Sequence, residues 1–341
     1  MLTIALVLAQ LQLGAPSARI GSVDDDQQAL HRVNRVVEDP AGGRVFVFQQ
    51  GSGEVPVFDA IGARVGTVGR RGGGPGEFAA PANIGFAGAE LWVTDLSLRK
   101  FSYFDRQSLE HRRDLVLPTT DNRTTPFTIS RDRSVVTERT TDRWLWRQGD
   151  RPLASYAAEL DVGGFSYGGR NITFRQPFSS SPRLLPTLDG QNIIVLTVDE
   201  PRLRVTRLTL DGDTILDRQL PVEATQVTGE IVDGWVEDFA RRLSVPASRS
   251  TVERLLHENV VRPATTHGVH SVVIGVDDVL WVGSTLGGSN IWRAIDTMNG
   301  TLLGTLRLPE GQSVKSGGHS HVWILSRDEL DIEYLTRYLV R

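Results

Sequence analysis

The feature that most constrains this chain is a short apolar core that recurs along its length. Clear copies occur at residues 45–47 (VFV), 91–93 (LWV), 280–282 (LWV) and 322–324 (VWI), and weaker ones at 135–136 and 193–195. The copies are about 44 residues apart with two longer gaps, which is a period typical of repeat architectures. The central positions are Phe46, Trp92, Val135, Ile194, Trp281 and Trp323. Six repeated units are therefore predicted, and the repeated tryptophans are predicted to be core residues.

Each core is followed by a second apolar run that ends in a turn. Residues 55–59 lead to Gly62, and residues 205–210 lead to Asp211-Gly212. Asp and Gly tolerate the backbone of tight turns, and the flanking β-branched and aromatic residues favour strands, so these are hairpin signals. A third strand follows this turn, and another apolar stretch precedes each core. Each unit therefore has four strands. Four-stranded units at this spacing predict an all-β, six-bladed β-propeller over residues 18–341.

Two segments also carry a family resemblance. Residues 91–95 (LWVTD), continuing through Arg99 to residues 101–105 (FSYFD), resemble an NHL repeat. Residues 69–78 (GRRGGGPGEF), followed by Pro81, resemble the loop between blades in secreted bacterial six-bladed NHL-like propellers. The match is best over residues 40–117. The resemblance implies the architecture and assigns no catalytic residues, so function has to be argued from a site.

The amino-acid composition excludes several classes of function. The chain has 37 Lys and Arg against 41 Asp and Glu, a net charge of −4, so it lacks the basic field that holds nucleic-acid phosphates. The 40% hydrophobic and 23% charged residues indicate a folded chain with a buried core. Without cysteine, thiolate catalysis and zinc–cysteine sites are excluded. We expect a monomer that binds no nucleic acid.

The amino terminus resembles a secretory leader. Residues 2–13 form an apolar run, and the small residues of 14–18 follow it. We interpret residues 1–17 as a signal peptide, which places the protein in the periplasm or outside the cell. The alternative is an ordinary buried strand or helix. The run is shorter than the roughly 20 residues that a spanning helix needs, so no membrane span is expected.

Ring closure is predicted to use both ends of the chain. An open first or last edge strand would invite pairing with other chains. The last unit lacks one strand, and residues 19–23 (RIGSV) are similar to the outer strand of the first unit, residues 64–68 (RVGTV). We therefore expect residues 19–23 to pair with residues 332–340.

The two long gaps between cores indicate insertions. Residues 229–243 have apolar positions at helical spacing, and a capping box at Ser250–Glu253 opens a second helix. This predicts a helical hairpin at 229–260 between blades 4 and 5, either as a lid on the channel mouth or as a cover of the rim. Trp235 on it is expected to pack onto the propeller or to anchor a partner. The other insertion, 158–183, is rich in Gly and Ser.

Three motifs contain residue types that could carry chemistry. Residues 164–168 (GFSYG) match a nucleophile elbow, but no helix pattern follows, so a flexible loop is expected. The pairs His267/His270 and His319/His321 offer too few ligands at one place for a metal site. Residues 69–78 form either an anion-binding nest or a tight connection between blades.

The sequence favours an exported binding or scaffold propeller. Its loop face, the face that carries the connections between blades, is predicted to engage a peptide, glycan or protein partner, without a cofactor or metal. The alternative is a metal-assisted hydrolase or lyase of the lactonase or amidating-lyase kind, with a metal ion in the channel. The ligand-binding residues predicted at the channel mouth are Arg70, Arg71, Asn83, Arg123, Arg183 and His270.

Overall fold

The computed structural model describes residues 10–341, except 26, 42, 118–124, 131–135, 140–142, 149–150, 158–161, 200–201, 223, 244–247 and 287–288. Six four-stranded antiparallel sheets form the blades of a β-propeller. The predicted all-β, six-bladed architecture is confirmed. Neither α-helix in the described part of the chain has the length and apolar character needed to cross a membrane.

The bounds of the elements follow the chain. The first strand is β1 (Leu13–Ile20). Blade 1 consists of β2 (Val33–Glu38), β3 (Val45–Gln49), β4 (Val55–Phe58) and β5 (Arg64–Val68). The short strands β6 (Arg70–Arg71) and β7 (Glu77–Phe78) follow it. Blade 2 consists of β8 (Pro81–Ala87), β9 (Glu90–Asp95), β10 (Lys100–Asp105) and β11 (His111–Val116). Blade 3 consists of β12 (Thr125–Ile129), β13 (Val136–Arg139), β14 (Arg143–Gln148) and β15 (Arg151–Ala157).

A hairpin of β16 (Val162–Tyr167) and β17 (Arg170–Arg175) precedes blade 4, which consists of β18 (Arg183–Pro186), β19 (Asn192–Asp199), β20 (Arg202–Thr209) and β21 (Thr214–Pro221). Between β21 and the next blade, the chain forms β22 (Thr225–Gln226), α1 (Gly229–Arg242), α2 (Arg249–Asn259) and β23 (Thr265–Thr266). Blade 5 consists of β24 (Val269–Ile274), β25 (Val279–Leu286), β26 (Ser289–Asp296) and β27 (Thr301–Leu308), and blade 6 begins with β28 (Ser313–Gly317), β29 (His321–Arg327) and β30 (Glu333–Val340).

The first strand of each blade is its innermost one. Contacts between neighbouring blades join these strands, for example β2 with β28 and β18 with β24. Every connection between blades leaves an outer strand and enters an inner one, so these connections share one face of the propeller. We call it the loop face; the opposite face carries the turns between the first and second strands.

Ring closure joins the two ends of the chain in blade 6, where the strand order is β28-β29-β30-β1. Arg19 pairs with Thr336 and Ile20 with Leu335, so the predicted pairing is confirmed for these residues. Its predicted extent is wrong, because β1 ends at Ile20, where the chain turns through Gly21 at a φ of 116°.

The closing strand also includes residues that the sequence placed in the leader. Leu13 pairs with Val340, and Pro16 pairs with Tyr338. Irregular register between these pairs accommodates Pro16, which has no N–H to donate to the ladder. Residues 13–17 therefore belong to blade 6 in this structure.

The repeated cores lie in the second strand of each blade. Trp92, Trp281 and Trp323 are at most 2% exposed, which confirms them as core residues. A Cβ on Gly85 would lie 2.2 Å from Trp92, so the glycine leaves room for the indole. Val135, the predicted core position of blade 3, lies outside the described residues, and β13 begins one residue after it.

Candidate functional site

Five of the six predicted ligand-binding residues are described by the structure, and Arg123 lies outside the described residues. Arg183 and His270 come together between blades 4 and 5. Arg183 begins β18, and its Nη2 donates a hydrogen bond to the carbonyl oxygen of Val269 at 2.6 Å. Its Nη1 lies 3.5 Å from the carbonyl oxygen of His270. The guanidinium thus joins the start of one inner strand to the start of the next.

The His270 ring is held by its neighbours on blade 5. It packs edge-on against Trp292, with ring centroids 5.6 Å apart. Desolvation and then the charge of Arg183 lower the pKa of His270 below its ordinary value, while a hydrogen bond with Asn290 opposes the shift. The ring is therefore biased towards its neutral form.

Arg70 and Arg71 lie in the connection between blades 1 and 2, where β6 pairs with β7 in parallel. Arg70 Nε donates to Glu77 Oε1 at 2.9 Å, and Arg71 donates to the carbonyl oxygen of Gly51. Phe78, which is fully buried, anchors the end of this connection. Both arginines reach the loop face, but their contacts are with their own blade and connection.

The glycine-rich part of this connection already binds a carboxylate of the connection itself, that of Glu77. Glu77 Oε2 accepts a hydrogen bond from the Gly74 N–H at 2.8 Å, the kind of donor that a bound anion would use. This bond, followed by the bond from Arg70, lowers the pKa of Glu77. Of the two interpretations of residues 69–78, the structure favours a tight connection between blades.

Asn83 is buried at the third position of β8, and its Oδ1 accepts a hydrogen bond from Arg35, at the third position of β2. Arg35 in turn lines a cavity of about 290 Å³ between the inner strands. The lining includes Asn34, Arg35, Leu185, Ser271, Val273 and Lys315. The predicted Asn83 therefore connects to the central channel through Arg35.

The predicted binding set did not include Arg35 or Lys315. Lys315 lies in β28, an innermost strand with the sequence SVKSG that the sequence pattern did not reveal. A strand that lines a channel need not alternate apolar and polar residues as a half-buried strand does. The available signal was positional, since Arg35, Asn83 and Lys315 are each the third residue of an inner strand.

Two insertions that are distant in sequence form one accessory unit, which consists of β16, β17, α1 and α2. Phe174 of β17 contacts Trp235 and Phe239 of α1, with ring centroids 5.4 and 5.6 Å away. Leu256 of α2 is fully buried in the same apolar cluster. Gln176 ties the two segments together, because its Nε2 donates to the Asn259 carbonyl oxygen and its Oε1 accepts from the Val261 N–H, both at 2.9 Å.

Details of the accessory unit differ from the sequence predictions. The N-cap of α2 is Ser248, two residues before the predicted capping box, and its hydroxyl accepts a hydrogen bond from the Thr251 N–H. The partner of Trp235 is the β16–β17 hairpin, which the sequence pattern did not predict. The indole is half-buried there.

The predicted flexible loop at residues 164–168 is wrong, because this segment belongs to the β16–β17 hairpin. Ser166 pairs with Asn171 across the hairpin, and its Oγ donates to Asn171 Oδ1 at 2.7 Å. Phe174 on the second strand has a partner surface on α1, which stabilises the hairpin although its sequence is rich in glycine. The serine is therefore on a strand rather than at a strand-to-helix turn.

The histidines lie in separate environments. His267 is buried, whereas His270 keeps an exposed surface beside the part of its ring that packs on Trp292 and is desolvated. His321 is buried against Glu38, with Nε2 2.6 Å from Oε2, and His319 lies 3.6 Å from Asp296. Over the described residues, no group of three or more His, Asp and Glu side chains is arranged to hold a metal ion.

Comparison with known proteins agrees with the class that the fold defines, a six-bladed β-propeller. A family model described as a 6-bladed beta-propeller matches residues 25–129, a span that includes blades 1 and 2. A search of curated proteins gives no significant match.

Among solved structures, the chain is similar to a Bacteroides fragilis NCTC 9343 protein that is predicted to be exported. The TM-score is 0.53 with 11% identity, over 97% of this chain and 95% of the other, which supports the fold alone. The β-propeller domain of Cps50 (Swd1) from Myceliophteria thermophila gives a TM-score of 0.43 at 10% identity, over 94% and 98% of the two chains. A luciferin-regenerating enzyme gives 0.43 at 10% identity, over 92% of each chain. Scores of this size carry no argument about function.

Proposed function

We propose that this protein is an exported binding propeller that engages a peptide, glycan or protein partner at its loop face and needs no cofactor. The observation that carries the proposal is the accessory unit, in which two separate connections between blades build a small apolar core of their own. Long ordered insertions on a rigid scaffold are commonly where binding proteins hold their partners.

In this proposal, the helical hairpin between blades 4 and 5 acts as a lid beside the channel. Its support comes from topology, because the hairpin and the β16–β17 insertion both leave an outer strand and return to an inner one. Arg183 and His270 lie where these connections enter blades 4 and 5, and Arg70 and Arg71 extend the polar surface on blade 1. The partner would contact the accessory unit and these side chains together.

Export is the second element of the proposal, and it rests on the leader-like residues at the amino terminus. Because Leu13 already pairs with β30, we propose that processing leaves β1 intact. A fusion of residues 1–20 to a reporter that is active only outside the cytoplasm tests this element. A reporter that stays inactive in a bacterial host that exports a known leader would contradict it.

The binding function is tested with labelled protein on peptide and glycan arrays, followed by titration of any ligand found. We expect the double variant Arg70→Glu/Arg71→Glu, or replacement of residues 229–260 by a Gly-Ser linker, to weaken binding at least tenfold. Ile61→Glu is the matched control, since Ile61 is 74% exposed in a turn on the opposite face. Unchanged binding by both loop-face variants, or loss of binding only with Ile61→Glu, contradicts the proposal.

A further inference from the structure

The central channel is lined by two basic residues that have no carboxylate partner within the part of the chain that the structure describes. Arg35 from β2 and Lys315 from β28 line the same cavity of about 290 Å³. Within the described part of the chain, neither side chain forms an ion pair. Both side chains are half-buried, and a charge that is partly withdrawn from water is costly without a counter-ion, so such groups in proteins are usually paired.

Arg35 uses few of its donors. Its one hydrogen bond to a described residue goes to the amide oxygen of Asn83, from Nη1. A guanidinium carries five N–H donors in a planar fork that matches the oxygens of a carboxylate or phosphate. Desolvation lowers its pKa to about 10, which leaves the group charged at neutral pH.

Lys315 has a carboxylate in its neighbourhood, but that carboxylate is occupied. Glu333 Oε2 accepts a hydrogen bond from the Val33 N–H at 2.7 Å, and its Oε1 accepts from Arg327 Nη2 at 2.7 Å. Desolvation lowers the pKa of Lys315, and Glu333 offsets this shift only in part. Lys315, a residue of the cavity lining, therefore carries an ammonium group without an ion-pair partner among the described residues.

We propose that the channel binds an oxyanion, a carboxylate or a phosphate group of a small ligand, between Arg35 and Lys315. Arg35 supplies a planar donor fork, and Lys315 supplies a compact charge. Ser271 and Asn34 add polar atoms to the lining. The cavity volume is at the small end of the range for ligand pockets, so it suits a small anion or one acidic group of a larger ligand. The site goes beyond the proposed loop-face function and does not require it.

Calorimetric titration of the full chain with inorganic phosphate and, separately, with succinate tests the proposal at constant ionic strength set by chloride. We expect saturable binding at one site. Arg35→Gln and Lys315→Met should each weaken it about tenfold or more, because each removes charge-assisted hydrogen bonds. Arg307→Gln is the matched control, since it removes one positive charge from the exposed outer strand β27 and should leave binding unchanged. Binding of phosphate alone, of succinate alone or of both supports the site and identifies the anion.

Thermal unfolding in chloride buffer gives a second readout. An uncompensated cation destabilises the folded state, so Lys315→Met should melt at or above the parent temperature and should lose the upward shift that the bound anion produces. Binding of neither anion by the wild type would overturn the proposal. Anion affinity equal to that of the wild type in both channel variants, or a large drop in melting temperature for Lys315→Met without ligand, would also overturn it.

Discussion

Ile20, in the first strand of the chain, pairs with Leu335 in the last, and both side chains are fully buried. The pair lies in an apolar cluster that also contains Trp323 and Val47. Since β1 is the outer strand of blade 6, this pairing closes the ring and covers the edge of β30. The stability of the propeller should therefore depend on the amino-terminal strand.

Deletion of residues 1–24 should lower the stability and solubility of the protein severely. Burial of Ile20 alone contributes about 1.5–3 kcal/mol, and the deletion also exposes the strand edge of β30. Denaturant unfolding and size-exclusion chromatography measure both effects. Deletion of residues 1–9 is the control, because it keeps β1 whole. A truncated protein that unfolds like the parent would show that closure occurs elsewhere.

Asp114→Ala should lower the free energy of unfolding by about 3 kcal/mol, because it leaves the buried ammonium of Lys100 without its carboxylate. Lys100 Nζ lies 2.9 Å from Asp114 Oδ2 and also donates to the carbonyl oxygen of Gly74 at 2.8 Å. The double variant Lys100→Met/Asp114→Ala should lose less free energy of unfolding than Asp114→Ala alone. Chemical denaturation of the wild type, the two single variants and the double variant gives the coupling energy between the two side chains. Strictly additive losses would contradict the prediction.

The same carboxylate makes stability depend on pH. Burial opposes ionisation of Asp114, but hydrogen bonds from Lys100, Ser102 and His111 outweigh it and lower its pKa. Its contribution is present above the unfolded value of about 3.9 and is lost as the pH falls through the folded value. The stability difference between wild type and Asp114→Ala should therefore shrink in acid. A difference that stays constant down to the acid transition argues against this.

His270 should titrate below its ordinary pKa of about 6.5 in the folded protein. Protonation then favours the unfolded chain, so this contribution to stability is present above the unfolded pKa and is lost as the pH falls below it. Proton NMR of the ring measures the midpoint. Arg183→Gln should raise the pKa of His270, since it removes a nearby positive charge, whereas Arg307→Gln should not. A midpoint at or above 6.5 in the wild type contradicts the prediction.

Phe174→Ala should destabilise the accessory unit and leave the blades intact. Phe174 is 4% exposed and packs on Trp235 and Phe239, so its removal should cost about 3 kcal/mol. Hydrogen exchange followed by mass spectrometry should show lost protection in residues 229–260 and unchanged protection in residues 33–68. Equal loss in both ranges would mean that the unit and the propeller unfold together.

Most of the fold was accessible from the sequence. The positions of Trp92, Trp281 and Trp323, the turns after the second strands and the likeness of residues 19–23 to 64–68 predicted the blades and their closure. The hairpin at residues 162–175 was missed. Its glycines are typical of a loop. The hairpin forms because Phe174 packs on a helix that is distant in the chain.

The candidate site was less accessible. Arg183 and His270 were predicted and are adjacent, and Asn83 leads to the channel through Arg35. Lys315 was missed because β28 lacks the alternating pattern of a strand. No sequence feature near Lys315 indicates that it lines the same cavity as Arg35.

The sequence by itself determined the repeated second strands of the blades, the number of blades and the pairing of the two chain ends that closes the ring. These depend on apolar periodicity, turn residues and edge complementarity, which are written into short segments. Only the tertiary structure decided which distant residues share a cavity or a core: Arg35 and Lys315 line one cavity, and Phe174 packs on Trp235 in one core. The physical reason is that closing a ring brings the first strands of distant blades around one axis, and no local pattern encodes what they face across it.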